Sequence, residues 1–163
     1  MKITARIDYA ATPHEVFVML TDDEFQSAKC LATGALDFEV SVDVNGEHTV
    51  IVSRRAMPTE DLPDYVRNLV GERLLIVETH TWGPATEDGS RQGSLKVEVG
   101  SAPVGLLGTL SLAPGGRGAV QAVEGDLKAR VPLIGGKIEK AAAPAIEKAI
   151  VIERQTGEAW LAG

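Results

Sequence analysis

The sequence predicts an α+β fold in which seven antiparallel strands curl around one long C-terminal helix. Successive segments alternate apolar and polar residues with period two, as half-buried strands do. Hairpin-length connections join most of them, which implies antiparallel neighbours. The chain then finishes in a one-sided helix that has to lie on a sheet. At 163 residues, a single domain spanning 1–163 with one core is expected.

The first strand is KITARIDY (2–9), with Ile3, Ala5, Ile7 and Tyr9 on one face and Lys2, Thr4, Arg6 and Asp8 on the other. Thr12-Pro13-His14-Glu15 reads as a capping box with proline at the first helical position, so a helix starts there and carries Val16, Phe17 and Leu20 inward. Thr21 to Glu24 repeats the signal. Phe25, Ala28, Leu31 and Ala32 keep helical spacing up to Gly34, a natural stop.

From Leu36 the period returns to two: Leu36, Phe38, Val40, Val42 and Val44 oppose Asp37, Glu39, Ser41 and Asp43. Asn45-Gly46 signals a hairpin. A two-residue turn puts Thr49, Ile51 and Ser53 beside the apolar face, a three-residue turn puts Val50 and Val52 there, and the choice between Arg54 and Arg55 as the inward residue stays open. Between Pro58 and Gly71, Leu62, Tyr65, Val66 and Leu69 sit at i, i+3, i+4 and i+7, the spacing of a short amphipathic helix. Strands follow at 72–82, 94–99 and 104–112, then a PGGRG turn at 114–118 and a last strand over 119–131. Pro132 cannot donate to a ladder and should end that strand, while Gly135-Gly136 gives the chain a corner into the final helix. That helix gathers Ile138, Ala141, Ala142, Ala145, Ile146, Ala149, Ile152 and Thr156 on one stripe. Pro144 inside it predicts a kink or a split.

Composition removes several function classes. Sixteen Lys and Arg against 23 Asp and Glu give a net charge of −7, which opposes phosphate backbones and anionic headgroups, so no nucleic-acid partner is expected. Neither a signal-like leader nor a run of ~18 apolar residues occurs, so no integral membrane association and a cytoplasmic location are expected. Cys30 is the only cysteine; it reads as a packing residue and offers neither a disulfide nor a thiolate cluster. His14 and His48 read as surface residues without metal-ligand neighbours. Gly136-Lys137 resembles the tail of a phosphate loop, but that motif needs glycine at 131 and Ser or Thr at 138, where the chain has Val131 and Ile138. No metal and no cofactor are expected, and the chain reads as a monomer or homodimer.

The order of elements, the run LKARVPLIGGKIE (127–139) and ETHTW (78–82) resemble the START-like, or helix-grip, superfamily of polyketide cyclase/dehydrase-type and lipid-transport proteins. More narrowly they resemble an uncharacterised actinobacterial domain-of-unknown-function branch of it. The resemblance spans nearly the whole chain, rests on structural motifs, and implies the fold more than the function.

Within that frame the residues favour a hollow interior. Gly108, Gly125 and Ala129 on the last strands face a helix stripe made chiefly of alanine, where a filled core would alternate large and small side chains. The expected function is therefore non-catalytic binding or carriage of an apolar small molecule or lipid between the sheet and the C-terminal helix. Its expected lining is Phe38, Val40, Val77, Val97, Leu110 and Leu127 from the strands, Tyr65 and Leu69 from the short helix, and Ile138 and Ala142 from the long one. The short helix reads as a lid over the cavity mouth, with the Tyr65 hydroxyl offered to a ligand's polar end. One alternative is a protein-interaction module working through an exposed apolar face. The other is a cyclase or hydrolase using Glu78 and His80, which requires that pair, or Arg55, to point inward; the plainer reading of strand 72–82 turns Leu75, Val77, Thr79 and Thr81 inward and leaves the pair in solvent. Trp82 and Trp160 read as packing anchors.

Overall fold

The computed structural model describes residues 1–163. In chain order the elements are β1 (Lys2–Tyr9), α1 (Pro13–Leu20), α2 (Asp23–Ala32), β2 (Asp37–Asn45), β3 (His48–Pro58), α3 (Asp64–Val70), β4 (Arg73–Trp82), β5 (Arg91–Val99), β6 (Val104–Gly115), β7 (Gly118–Ala129) and α4 (Gly135–Ala162). The strands form one antiparallel sheet in the order β1-β7-β6-β5-β4-β3-β2. Its curved inner face takes α4, with α1 and α2 packed at the flank. No helix is long and apolar enough to cross a membrane.

At the N-terminal helices the local signals act close to where they were read. At the start of α1, the Thr12 N–H donates to Glu15 Oε1 and the Glu15 N–H donates to Thr12 Oγ1, both at 3.1 Å. The second helix starts one residue later than its sequence signal, because Thr21 is engaged elsewhere: its hydroxyl donates to the Phe17 carbonyl at 2.9 Å and closes α1. Asp22 caps α2 instead, accepting from the Glu24 N–H at 2.8 Å.

The β2–β3 hairpin pairs Val44 with Thr49, Val42 with Ile51, Val40 with Ser53 and Phe38 with Arg55. Its two-residue turn is Gly46-Glu47, and this parity sends Arg55 inward and Arg54 outward. On β4 the expected parity is reversed. Leu75 is 46% exposed, whereas His80 and Trp82 are buried. Trp82 is the residue that decides it: the bulkiest side chain of the strand buries against Phe17, rings edge to face at 6.2 Å, and every second residue back from it (His80, Glu78, Ile76) turns inward with it.

β7 ends at Ala129, before Pro132 is reached. Gly135 is the corner residue in a strict sense, since a Cβ there would collide with the Ala129 carbonyl oxygen; Gly136 faces open space. Leu133 takes up the reversal, with φ of 71° and full exposure. Of the kink or split expected at Pro144, the split does not occur: α4 runs as one 28-residue helix through it.

Candidate functional site

Between the inner face of the sheet, α3 and α4 lies a cavity of about 240 Å³. Small residues make room for it. Ala141, Ala142, Ala145 and Ala149 of α4 face it where leucines would fill it. Behind them, Gly108 and Gly125 pair directly across β6 and β7, and a Cβ at Gly108 would strike the Glu124 carbonyl and Gly125. Six of the ten residues expected to line it do so: Leu69, Val97, Leu110, Leu127, Ile138 and Ala142.

The other four lie elsewhere, each for a geometric reason. Phe38 and Val40 stand on β2, the edge strand, which packs against α2 away from the cavity. Val77 is on the outer face, since β4 turns its even-numbered residues inward. Tyr65 sits at the margin of the α3 stripe. Leu62, Val66 and Leu69 line the cavity, but the Tyr65 ring turns to Lys137, whose Nζ stands 4.2 Å from the ring centroid.

The apolar lining ends on a buried charged network that reaches the cavity from four elements. Lys29 of α2, Arg55 of β3, Glu78 and His80 of β4, and Glu153 of α4 all contribute to the wall, with Gln121 of β7. Glu78 is its centre. Its Oε2 accepts from Arg55 Nη2 at 3.1 Å, its Oε1 lies 2.7 Å from His80 Nε2, and Lys29 Nζ stands 3.8 Å away. Lys29 also lies 3.7 Å from Glu153, whose other oxygen accepts from Gln121 Nε2 at 3.3 Å.

Burial alone would raise the Glu78 carboxyl, but Lys29, His80 and Arg55 override it and hold the group well below the usual carboxylate range. Burial likewise works against the Lys29 ammonium, and the Glu153 and Glu78 carboxylates reverse that, keeping it above the ordinary lysine value. Burial pushes the neighbouring Cys30 thiol up, which makes it a packing residue and a poor nucleophile. His14 and His48 are exposed, and no cluster of metal-ligating side chains occurs. Tyr9 is fully buried against Gly157, where a Cβ would overlap its ring, and its hydroxyl is also held above its usual range, by burial and then by Glu153 and Glu158.

Sequence reasoning identified Glu78, His80 and Arg55 as candidates and missed Lys29, Glu153 and Gln121. On α2 the buried face is Phe25, Gln26, Lys29 and Cys30, and Leu31 is 64% exposed. On α4 the inward stripe passes from Ile146 and Ile150 to Glu153 and then Gly157, and so leaves the predicted Ile152 and Thr156.

This arrangement, a curved antiparallel sheet gripping a long helix over an apolar cavity, is the START-like helix-grip fold. The chain belongs to the family described as Protein of unknown function (DUF2505), whose model matches residues 4–161. An uncharacterized protein of Mycobacterium tuberculosis H37Rv is 27% identical to it over 163 residues, 94% of this chain and 92% of the relative. Among solved structures, TTHA0849 from Thermus thermophilus superposes with a TM-score of 0.62 at 16% identity, over 97% of this chain and 94% of that one. A START superfamily protein from Mycobacterium smegmatis gives 0.59 at 13% identity over 98% of each chain. The di-domain ARO/CYC StfQ from the steffimycin biosynthetic pathway gives 0.64 at 10% identity, over 97% of this chain and half of that one. At these identities the structural likeness concerns the fold.

Proposed function

We propose that this protein binds and carries an apolar small molecule or lipid in the cavity between the sheet and α4. The observation that carries the reading is the lining itself. Of its 30 residues 22 are hydrophobic, and the few polar ones converge in one network, the composition of a ligand site. An apolar cavity of about 150 Å³ already admits a benzene-sized molecule. Native mass spectrometry of the purified protein, followed by organic extraction and uptake of the neutral probe N-phenyl-1-naphthylamine, tests it. A bound or exchangeable apolar compound is expected, and a protein that releases nothing and takes up no probe overturns the reading.

A second reading, catalysis of the cyclase or hydrolase kind, is favoured by the 2.7 Å contact between His80 and Glu78 inside the cavity wall and by the aromatase/cyclase among the fold neighbours. Against it, three cationic or hydrogen-bonding partners stabilise the Glu78 carboxylate, which weakens it as a base and leaves it to orient the imidazole. The same experiment separates the two, because a catalyst returns the supplied compound changed in mass and a carrier returns it intact. Exposed large apolar side chains are spread over α1, α2, the loop after it, β2, β4, β6, the turn before α4 and α4 itself (Val18, Leu31, Leu36, Val44, Leu75, Leu107, Leu133, Val151, Trp160). No element carries more than two of them, which gives an interaction module little support.

The helix α3 acts as the lid in this reading. It turns Val66, Leu69 and Val70 to the cavity, with Leu62 just ahead of it doing the same, and has no fully buried residue. Tyr65 works as its outer latch, since the cation–π contact with Lys137 ties α3 to the first turn of α4; such a contact contributes ~0.5–1 kcal/mol at an exposed site. Tyr65→Ala is expected to speed probe uptake and release several-fold while lowering stability by less than ~1 kcal/mol. Stopped-flow fluorescence and thermal melts decide: a loss of about 3–5 kcal/mol with unchanged exchange rates would make Tyr65 a core residue and end the latch reading.

A further inference from the structure

We infer that the ligand carries a neutral hydroxylated head that lies against the buried network, and that an anionic head such as a carboxylate is disfavoured. This rests on the cavity reading above and adds the chemistry of the occupant's polar end.

Two independent features of the wall point there. The first is charge. Lys29 and Arg55 are the cations of the network, Glu78 and Glu153 its anions, and every one already faces an opposite charge: Lys29 between both carboxylates at 3.8 and 3.7 Å, Arg55 on Glu78 at 3.1 Å. The set is balanced two against two, with the His80 ring bonded to Glu78. A ligand carboxylate would add a third anion in a site of low dielectric without a free cation to meet it. Its lost hydration would go uncompensated.

The second feature is unfilled hydrogen bonding. Arg55 Nε and Gln121 Oε1 are buried without a partner. They belong to residues only 6% and 2% exposed, and they stand at opposite ends of the chain of contacts that runs Gln121, Glu153, Lys29, Glu78, Arg55. The other two such atoms, on Tyr9 and Trp82, belong to residues outside the cavity wall. Both atoms belong to residues that line the cavity, and one is a donor and the other an acceptor. A hydroxyl can serve either one, by accepting from Arg55 or donating to Gln121; an ether or ketone only accepts, and an ammonium only donates. A carboxylate cannot donate to Gln121 at all.

The test compares 1-decanol with decanoate as competitors for N-phenyl-1-naphthylamine at pH 7.5 on the full chain. Decanol is expected to displace the probe at a concentration at least tenfold lower. Because any apolar cavity prefers a neutral guest, two variants locate the preference. Gln121→Leu removes the acceptor without changing charge, along with the amide's hydrogen bond to Glu153, and is expected to weaken decanol about fivefold or more with decanoate unaffected. Glu153→Gln leaves Lys29 with one carboxylate, and is expected to improve decanoate and narrow or invert the gap. Either variant alone suffices if the other fails to fold. Equal or better displacement by decanoate on the unaltered protein overturns the inference, as does a decanol preference that both folded variants leave intact. A probe that never binds sinks the cavity reading and this one together, whereas a bound probe displaced equally by both heads sinks this one alone.

Discussion

Replacing Lys29 with methionine is expected to lower stability by about 3–5 kcal/mol, the usual cost of removing one partner from a buried ion pair, with a fall in Tm of roughly 6–20 °C. Methionine fills a similar space, so packing is not the cause. Lys29 is 3% exposed and stands between Glu78 and Glu153. Without it Glu78 retains Arg55 and His80, but Glu153 keeps only a Gln121 amide. Adding Glu153→Gln is expected to recover part of the loss, and a double-mutant cycle reads the coupling.

The pH dependence carries a further signature. The folded Glu78 pKa lies below its unfolded value, so its stabilisation is present above the ordinary glutamate range near ~4.3 and is lost as pH falls through the folded value. The folded Lys29 pKa lies above its unfolded value, so its stabilisation is present below ~10.4 and is lost as pH rises through the folded value. The unaltered protein should therefore weaken in acid and in strong alkali. In Lys29→Met the Glu78 carboxylate has lost one of the partners that depress it and is neutralised more readily, so the deficit relative to the parent should shrink as the solution is made acidic. Chemical denaturation across pH measures this, and a deficit constant from pH 3 to 8 would assign the loss to packing.

The same network shows where sequence reading reaches and where it stops. Thr12 and Glu15 were legible because a capping box is complete within four residues, and the strand alternation of 2–9 and 36–44 needs nothing from outside the strand. The β3 parity was not legible, because HTVIVSRR carries apolar residues on both faces and an arginine on each. On β4 the pattern ETHTW was ambiguous taken alone, yet Trp82 shares its parity with His80 and Glu78, and burying that indole would have turned both inward. Lys29, Gln121 and Glu153 are stable inside only because each meets a partner on another element, α2 against β4 and α4, β7 against α4. That information is tertiary. The one local trace is the spacing Ile146, Ile150, Glu153, Gly157, which keeps the i, i+4, i+7, i+11 rhythm of a buried face with a carboxylate in it.

Plugging the cavity from α4 is expected to remove probe binding and leave the fold intact. Ala142 lines the cavity and packs partly against the core cluster, so Ala142→Phe sends a ring into the space that a ligand would occupy. A benzene-sized group fits a cavity of about 150 Å³, and the cavity here is about 240 Å³, so the ring is accommodated and takes up much of the room. Uptake of N-phenyl-1-naphthylamine should fall at least tenfold. Stability separates the two accounts of the alanine stripe. Where the helix borders a cavity, the added ring buries apolar area at no steric cost, and ΔG should hold or rise by up to ~1 kcal/mol. Where the helix instead packs tightly on the sheet, the same change overpacks it and loses about 1–3 kcal/mol. Glu147→Phe, on the exposed side of α4, provides the control and should leave uptake unchanged. Loss of stability in Ala142→Phe together with undiminished uptake would show that the alanines are there for close approach, and that whatever this protein binds enters somewhere else.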